Sequence, residues 1–114
     1  MTAAIKDIII EQKSTFKQRI TWKDKNGAAI NLTGYSARMQ IKNPDGVVVV
    51  DLSNQNNKIK LGGVTGTIDL LLSVAETTVL QPTPLLYDLK LIEPDGTAHR
   101  KMQGNIIISV GQTV

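Results

Sequence analysis

Few residues in this chain could do chemistry, and none stands beside the neighbours that chemistry would need. His99 is the only histidine, in Thr97-Ala98-His99-Arg100-Lys101-Met102, just after a Pro-Asp-Gly turn. A metal centre needs further histidines, cysteines or carboxylates at ligand spacing, and a nucleophilic triad needs an identifiable nucleophile and base. The sequence offers His99 neither, so it is expected as a solvated hairpin residue. Asp24, Asp45 and Asp95 all fall in turns, where an aspartate bonds its own local backbone, and they lack the spacing of a calcium loop. Leu61-Gly62-Gly63-Val64-Thr65-Gly66 is rich in glycine but lacks the lysine and the following helix of a phosphate loop. Asn31-Leu32-Thr33 matches a glycosylation acceptor, which has meaning only in a secreted chain. No catalytic, cofactor-binding or metal-ligating set emerges, and an enzyme is the least expected class.

Recognition chemistry is equally sparse. A carbohydrate platform needs exposed aromatic faces, and aromatic residues make up 4% of the chain: Phe16, Trp22, Tyr35 and Tyr87. Phe16, Trp22 and Tyr87 fall in phase with inward positions. Tyr35 follows Gly34, where its ring would pack on the core while its hydroxyl bonds backbone at a corner. The net charge is +3, and the basic residues are scattered rather than gathered beside aromatics, so a nucleic-acid partner is not expected. There is no cysteine, which excludes disulfides, iron–sulfur clusters and thiolate zinc sites. Ile8-Ile9-Ile10, flanked by Asp7 and Glu11, is too short for a signal-peptide core, and no stretch approaches the roughly 18 apolar residues of a membrane span. The expectation is a soluble protein made in the cytoplasm, with no membrane partner and no small-molecule substrate.

The elements that must position any surface are read from alternation. Residues 15–22 place Phe16, Ile20 and Trp22 against Lys17, Arg19 and Thr21; residues 36–42 place Ala37, Met39 and Ile41 against Arg38, Gln40 and Lys42. Residues 85–93 place Tyr87, Leu89 and Leu91 against Asp88 and Lys90. Each predicts a half-buried antiparallel strand. Further strands are predicted at 5–12, 47–52, 58–61, 67–72, 97–102 and 105–110. Pro44-Asp45-Gly46 and Pro94-Asp95-Gly96 each follow an alternating strand and predict hairpins with three-to-five-residue loops, while Asn26-Gly27 and the glycines of 61–66 mark two more reversals. Ser73 with Glu76 three residues on is a capping box, and Pro82 ends the segment, so 74–80 is a single helical turn packing Val74, Val79 or Leu80 onto the sheets. About eight or nine short strands in one domain argue for an antiparallel β-sandwich, with a barrel second. Residues 1–13 are expected as an N-terminal strand or arm and 14–114 as the sandwich domain.

Four strands are apolar on both faces: Ile8-Ile9-Ile10, Val47-Val48-Val49-Val50, Leu70-Leu71-Leu72 and Ile106-Ile107-Ile108. A sheet with one wet face should not read this way. If Val48, Val50 and Leu52 point inward, Val47 and Val49 point out, and the same reasoning turns Leu71, Ile107 and Ile9 outward. Each such side chain, once buried, is worth about 1.5–3 kcal/mol. Either the helical turn, the loop at 53–57 and the N-terminal segment cover these positions within one chain, or they form a contact with other subunits. Ile9, Val47, Val49, Leu71 and Ile107 are the predicted interface residues, and the N-terminal segment could add a strand to a neighbour's sheet edge.

Three blocks carry a resemblance. Phe16 to Ile41, reading FKQRITWKDKNGAAINLTGYSARMQI, resembles small structural proteins of tailed bacteriophages and prophages. GTIDLLLS with the following Glu76-Thr77, and YDLKLIEPDG with the later GNIIIS, resemble that family's later blocks in the same order. The likeness covers roughly residues 14–110 and is also similar to the N-terminal modules of phage baseplate upper proteins. It implies an immunoglobulin-like β-sandwich built into the virion, in the tail, baseplate or fibre-attachment region, with other virion proteins and copies of itself as partners. It implies no catalytic residues and no cofactor. A capsid decoration protein and a host-surface carbohydrate-binding module stand as alternatives.

Overall fold

The computed structural model describes residues 4–110. Alternation is converted into strands nearly where it is strongest. In chain order they are β1 (Ala4–Ile5), β2 (Ile8–Glu11), β3 (Phe16–Thr21), β4 (Ser36–Lys42), β5 (Val48–Ser53), β6 (Ile59–Leu61), β7 (Thr67–Leu72), then helix α1 (Val74–Thr78), β8 (Leu85–Ile92) and β9 (Ala98–Ser109), with a 3-10 turn over Gly63–Thr65. The fold is all-β, in two sheets. The large sheet runs β9-β8-β4-β5, with β1 and β2 successively occupying the edge beside β9; the small sheet runs β3-β7-β6. Every pairing is antiparallel except those of β1 and β2, which run parallel to β9.

One core fills the space between the sheets. Leu85, Tyr87, Leu89 and Leu91 of β8 meet Ala37, Met39 and Ile41 of β4, Ile68, Leu70 and Leu72 of β7, and Ile8 and Ile10 of β2. The expected inward aromatics Phe16, Trp22 and Tyr87 are all buried here. Helix α1 forms as its capping box requires, with the Ser73 backbone N–H donating to Glu76 Oε1 and the Glu76 backbone N–H to Ser73 Oγ. Five residues cannot hold a helix alone. It is fastened by buried Thr77, whose hydroxyl donates to the Ser14 carbonyl at 2.7 Å, and by Leu80 in the core, while Val74 and Val79 stay exposed.

The turn chemistry works three times over. At Asn43–Val47, Glu93–Thr97 and Asp24–Ala28 the last residue's carbonyl accepts from the first residue's N–H, and a glycine with φ of 83°, 94° or 85° closes the loop. Asn43 Oδ1 accepts from the backbone of Asp45 and Val47, and Asp95 Oδ1 from that of Thr97.

Two boundaries differ from the sequence expectation, each for a local reason. The separate strands expected at 97–102 and 105–110 are one strand, β9, because Gly104 continues the ladder. The single strand expected at 5–12 is broken at Lys6-Asp7, where the chain crosses Gly104 so closely that a Cβ there would collide with the Lys6 carbonyl. Lys6 is tied at this crossing by its N–H to the Gln103 carbonyl at 3.0 Å and by its carbonyl, which accepts from the Tyr87 hydroxyl at 2.6 Å. Two bulges also interrupt the large sheet, at Val49 between β4 and β5 and at Lys101 between β8 and β9.

Candidate interaction surface

The two ends of the large sheet are built differently. At the end closed by the 93–97 turn, polar and aromatic groups interlock. His99 lies opposite Leu91 and so turns inward. Its Nε2 is 2.7 Å from Glu93 Oε2, and its ring meets Trp22 edge-on at 6.5 Å. Tyr35 also meets Trp22 edge-on, at 6.4 Å, and its hydroxyl donates to Glu93 Oε1 at 3.5 Å. The bulge re-aims Lys101 so that Nζ lies 5.1 Å from the Trp22 ring centre, a cation–π contact. Burial pushes the Lys101 ammonium below its usual range, and burial followed by the Glu93 charge pushes the Tyr35 phenol up. His99 is therefore half-buried and paired, not the solvated residue expected. The Tyr35 hydroxyl finds a carboxylate instead of the expected backbone; it is Tyr87 that bonds backbone. Among the described residues no group of three or more histidine, cysteine or acidic side chains is placed to hold a metal ion.

At the opposite end, closed by the 43–47 turn, apolar side chains lie open. Ile9 is 62% exposed, Val47 58%, Ile107 46% and Val49 43%. Strand register brings Ile9 beside Ile107. Leu71, the fifth expected interface residue, lies apart from them on the outer face of the small sheet. It is half-buried there, opposite Lys17 and near Arg19 and Asp69, which form a 2.7 Å ion pair. Four of the five residues thus share one end of the large sheet and one does not.

Two further members of this surface escaped sequence reasoning. Leu86 is 55% exposed and lies on the outer face between Asn105 and Lys42; Lys42 in turn pairs with Val48, 40% exposed. The signal for Leu86 was present, since Tyr87, Leu89 and Leu91 facing inward leave it facing out. Val48 was assigned inward by strict alternation. The bulge sets Val48 and Val49 together opposite Lys42, so two consecutive valines face solvent. Neighbouring strands are about 4.8 Å apart, so the band from Ile9 through Ile107, Leu86 and the Lys42 stem to Val48 is about 19 Å long.

Beside the band lies a shallow hollow of about 380 Å³ lined by Pro82, Thr83, Pro84 and Asn105 to Ile108. It exists because β8 begins at Leu85, opposite Ile106. Pro82 and Pro84 cannot donate a ladder hydrogen bond, so no strand flanks Ile107 and Ile108 on that side. The N-terminal segment, considered as an arm toward a neighbour, pairs from Ala4 to Glu11 with β9 of its own chain. The described residues leave the band uncovered. No protein-family model matches this chain, and comparison with curated proteins gives no match either.

Proposed function

We propose that this chain is a non-catalytic assembly module, a structural protein of the bacteriophage virion in the tail, baseplate or fibre-attachment region. The observation that carries the assembly role is the apolar band formed by Ile9, Ile107, Leu86 and Val48, with Val47 and Val49 at its corner, which no described segment of the chain covers. Apolar surface gathered in one place marks an interaction site, and covering the part of each side chain that is still exposed gains about 1 kcal/mol apiece. The phage setting rests on the likeness of the 16–41, 66–73 and 87–109 blocks to small virion proteins. The strand order supports an immunoglobulin-like sandwich: β3-β7-β6 faces β9-β8-β4-β5 as strands B-E-D face G-F-C-C′. The first strand pairs with β9 instead of with β3.

Gradient-purified phage particles from the strain encoding the chain test this directly. Mass spectrometry is expected to find its peptides in the particles, and immunogold labelling to place it on the tail. Absence from the particles overturns the virion assignment, and label confined to the head overturns the tail placement.

A further inference from the structure

The free edges of the two sheets are not finished alike. In an antiparallel ladder, successive residues turn their N–H and C=O alternately toward the partner strand and away from it. Along β5, the Asn54 N–H donates to the Ala37 carbonyl at 3.3 Å, so Leu52 faces β4 while Asp51 and Ser53 face outward. The Asn56 side chain closes this edge as a neighbouring strand would. Its Oδ1 accepts from the Ser53 N–H at 3.0 Å and its Nδ2 donates to the Asp51 carbonyl at 2.8 Å. Along β3, the Trp22 N–H donates to the Gly66 carbonyl at 2.8 Å, which leaves Lys17, Arg19 and Thr21 facing outward. All three are exposed to solvent, and charged side chains on an edge discourage pairing. The edge of β6 has neither device. The Leu71 N–H donates to the Lys58 carbonyl and the Gly62 N–H to the Thr67 carbonyl, both at 2.8 Å, so Lys60 faces β7 while Ile59 and Leu61 face away. Among the described residues, no backbone group bonds the main chain of Ile59 or Leu61 on that side. Ile59 is nonetheless only 1% exposed.

Buried main-chain groups are nearly always paired, so what completes this edge comes from outside the chain. The edge opens into a hollow of about 520 Å³, bounded by Thr33, Gly34 and Tyr35 on one side and by Asn54 and Asn57 on the other. That volume is within the range of ligand sites, about 300–1,000 Å³. We propose that the hollow receives an extended polypeptide segment of a partner protein, which pairs with β6 and adds a fourth strand to the small sheet. The donor and acceptor of Ile59 recur at Leu61 about 7 Å away, which is the repeat that every second residue of another extended chain presents. Thr33, Asn54 and Asn57 line the hollow with polar groups, so small or polar side chains suit the segment. A second copy does not supply it edge to edge, because its own β6 is recessed in the same way. A saccharide lacks the repeat, and the Tyr35 ring is already engaged edge-on with Trp22 and through its hydroxyl with Glu93. β6 spans three residues, so this contact is weak alone and adds to others made by the same partner. The site lies on the small sheet and does not rest on the apolar band or on the virion assignment.

The test pans displayed random octapeptides against the immobilised full chain and adds each enriched peptide, once synthesised, to the ¹⁵N-labelled chain. Amide shifts are expected to centre on Ile59–Leu61 and to extend to 33–35 and 54–57. Methylating the main-chain nitrogen at alternate peptide positions should weaken binding about tenfold, and methylating the positions between them should not, because only every second residue pairs with β6. Thr33→Trp, at an exposed position, fills the hollow and should weaken binding by a similar factor with Tm unchanged. If that variant proves unstable, the methylated peptides still decide, since they leave the protein untouched. The absence of any enriched peptide leaves the hollow to solvent and overturns the proposal. So do shifts centred on 17–21 or on Ile9 and Ile107, and so does binding that neither alternate methylation nor a stable Thr33→Trp weakens. The particle test above is separate, since failure there removes the virion setting and leaves this strand site unchanged.

Discussion

The two Pro-Asp-Gly hairpins of this protein share a turn and differ in everything that flanks it. Both close through the same hydrogen bonds and the same left-handed glycine, and both meet a bulge shortly after the turn. After Gly46 come valines, and the bulge at Val49 turns two of them to solvent. After Gly96 come Thr97, Ala98 and His99, and the bulge at Lys101 draws its ammonium over Trp22. Because β4 and β8 run antiparallel, the hairpins lie at opposite ends of the large sheet. Turn residues decide where a chain reverses; the next five residues decide whether that end is sealed or offered. One end is finished within the chain, and the other is left with apolar surface that no described segment covers.

If the sealed end is a structural knot, its removal should have the largest effect. Trp22 is buried between Tyr35, His99 and Lys101, so Trp22→Ala is expected to lose about 3–5 kcal/mol of stability in urea unfolding. A loss below about 1 kcal/mol would mean that this end is no better anchored than the other and would dissolve the comparison.

The second effect separates both ends from the seam between them. The Tyr87 phenol is pushed up to about 12, by burial first and then by the charge of Asp7. The folded state therefore favours the neutral phenol. Its contribution is complete below the ordinary value of 10.0 and is lost as pH rises through about 12. Unfolding free energy is expected to fall between those pH values, and Tyr87→Phe to flatten that alkaline limb. At neutral pH the same variant should lose about 0.5–1.5 kcal/mol, since the Lys6 carbonyl loses its donor. Equal alkaline limbs in the two proteins would show that Tyr87 does not clamp the N-terminal strand.

Much of this is legible in the amino-acid sequence. Strict alternation placed β3, β4 and β8, and the Pro-Asp-Gly and Asn-Gly turn residues placed three of the reversals, because both signals are local. The pairing of β1 and β2 with β9 was not legible: the reason is Gly104, whose missing Cβ matters only once Lys6 lies across it. Bulges defeat alternation by construction, which is why Val48 was assigned inward and the role of Lys101 was missed. The His99–Glu93 pair joins residues six apart across a turn, and no spacing rule marks it as different from two solvated side chains. Leu71 reads as exposed in the sequence; it is half-buried because Lys17 of a non-local strand lies opposite.

The third effect is smaller and isolates the bulge at the sealed end. Lys101→Ala removes the cation from the Trp22 face without disturbing the ladder, and is expected to lose about 0.5–1 kcal/mol, by the measure of partly exposed cation–π pairs. An unchanged unfolding midpoint would leave that bulge without an energetic purpose.

The smallest expected effect is the most decisive for the open end. Ile9→Thr and Ile107→Thr keep the β-branch that suits a strand and remove apolar surface only from the band. In the isolated chain each should change stability by no more than about 0.5 kcal/mol, as surface substitutions do. In particles assembled in the presence of both forms, the variant should be depleted relative to the unmodified chain. Leu71→Thr is the internal control. Its half-buried position predicts a larger loss in the isolated chain, about 1 kcal/mol, and no depletion beyond that. If Ile107→Thr instead destabilises the isolated chain as much as Leu71→Thr, the band is holding this molecule together, and the end of the sheet that looks open is already in use.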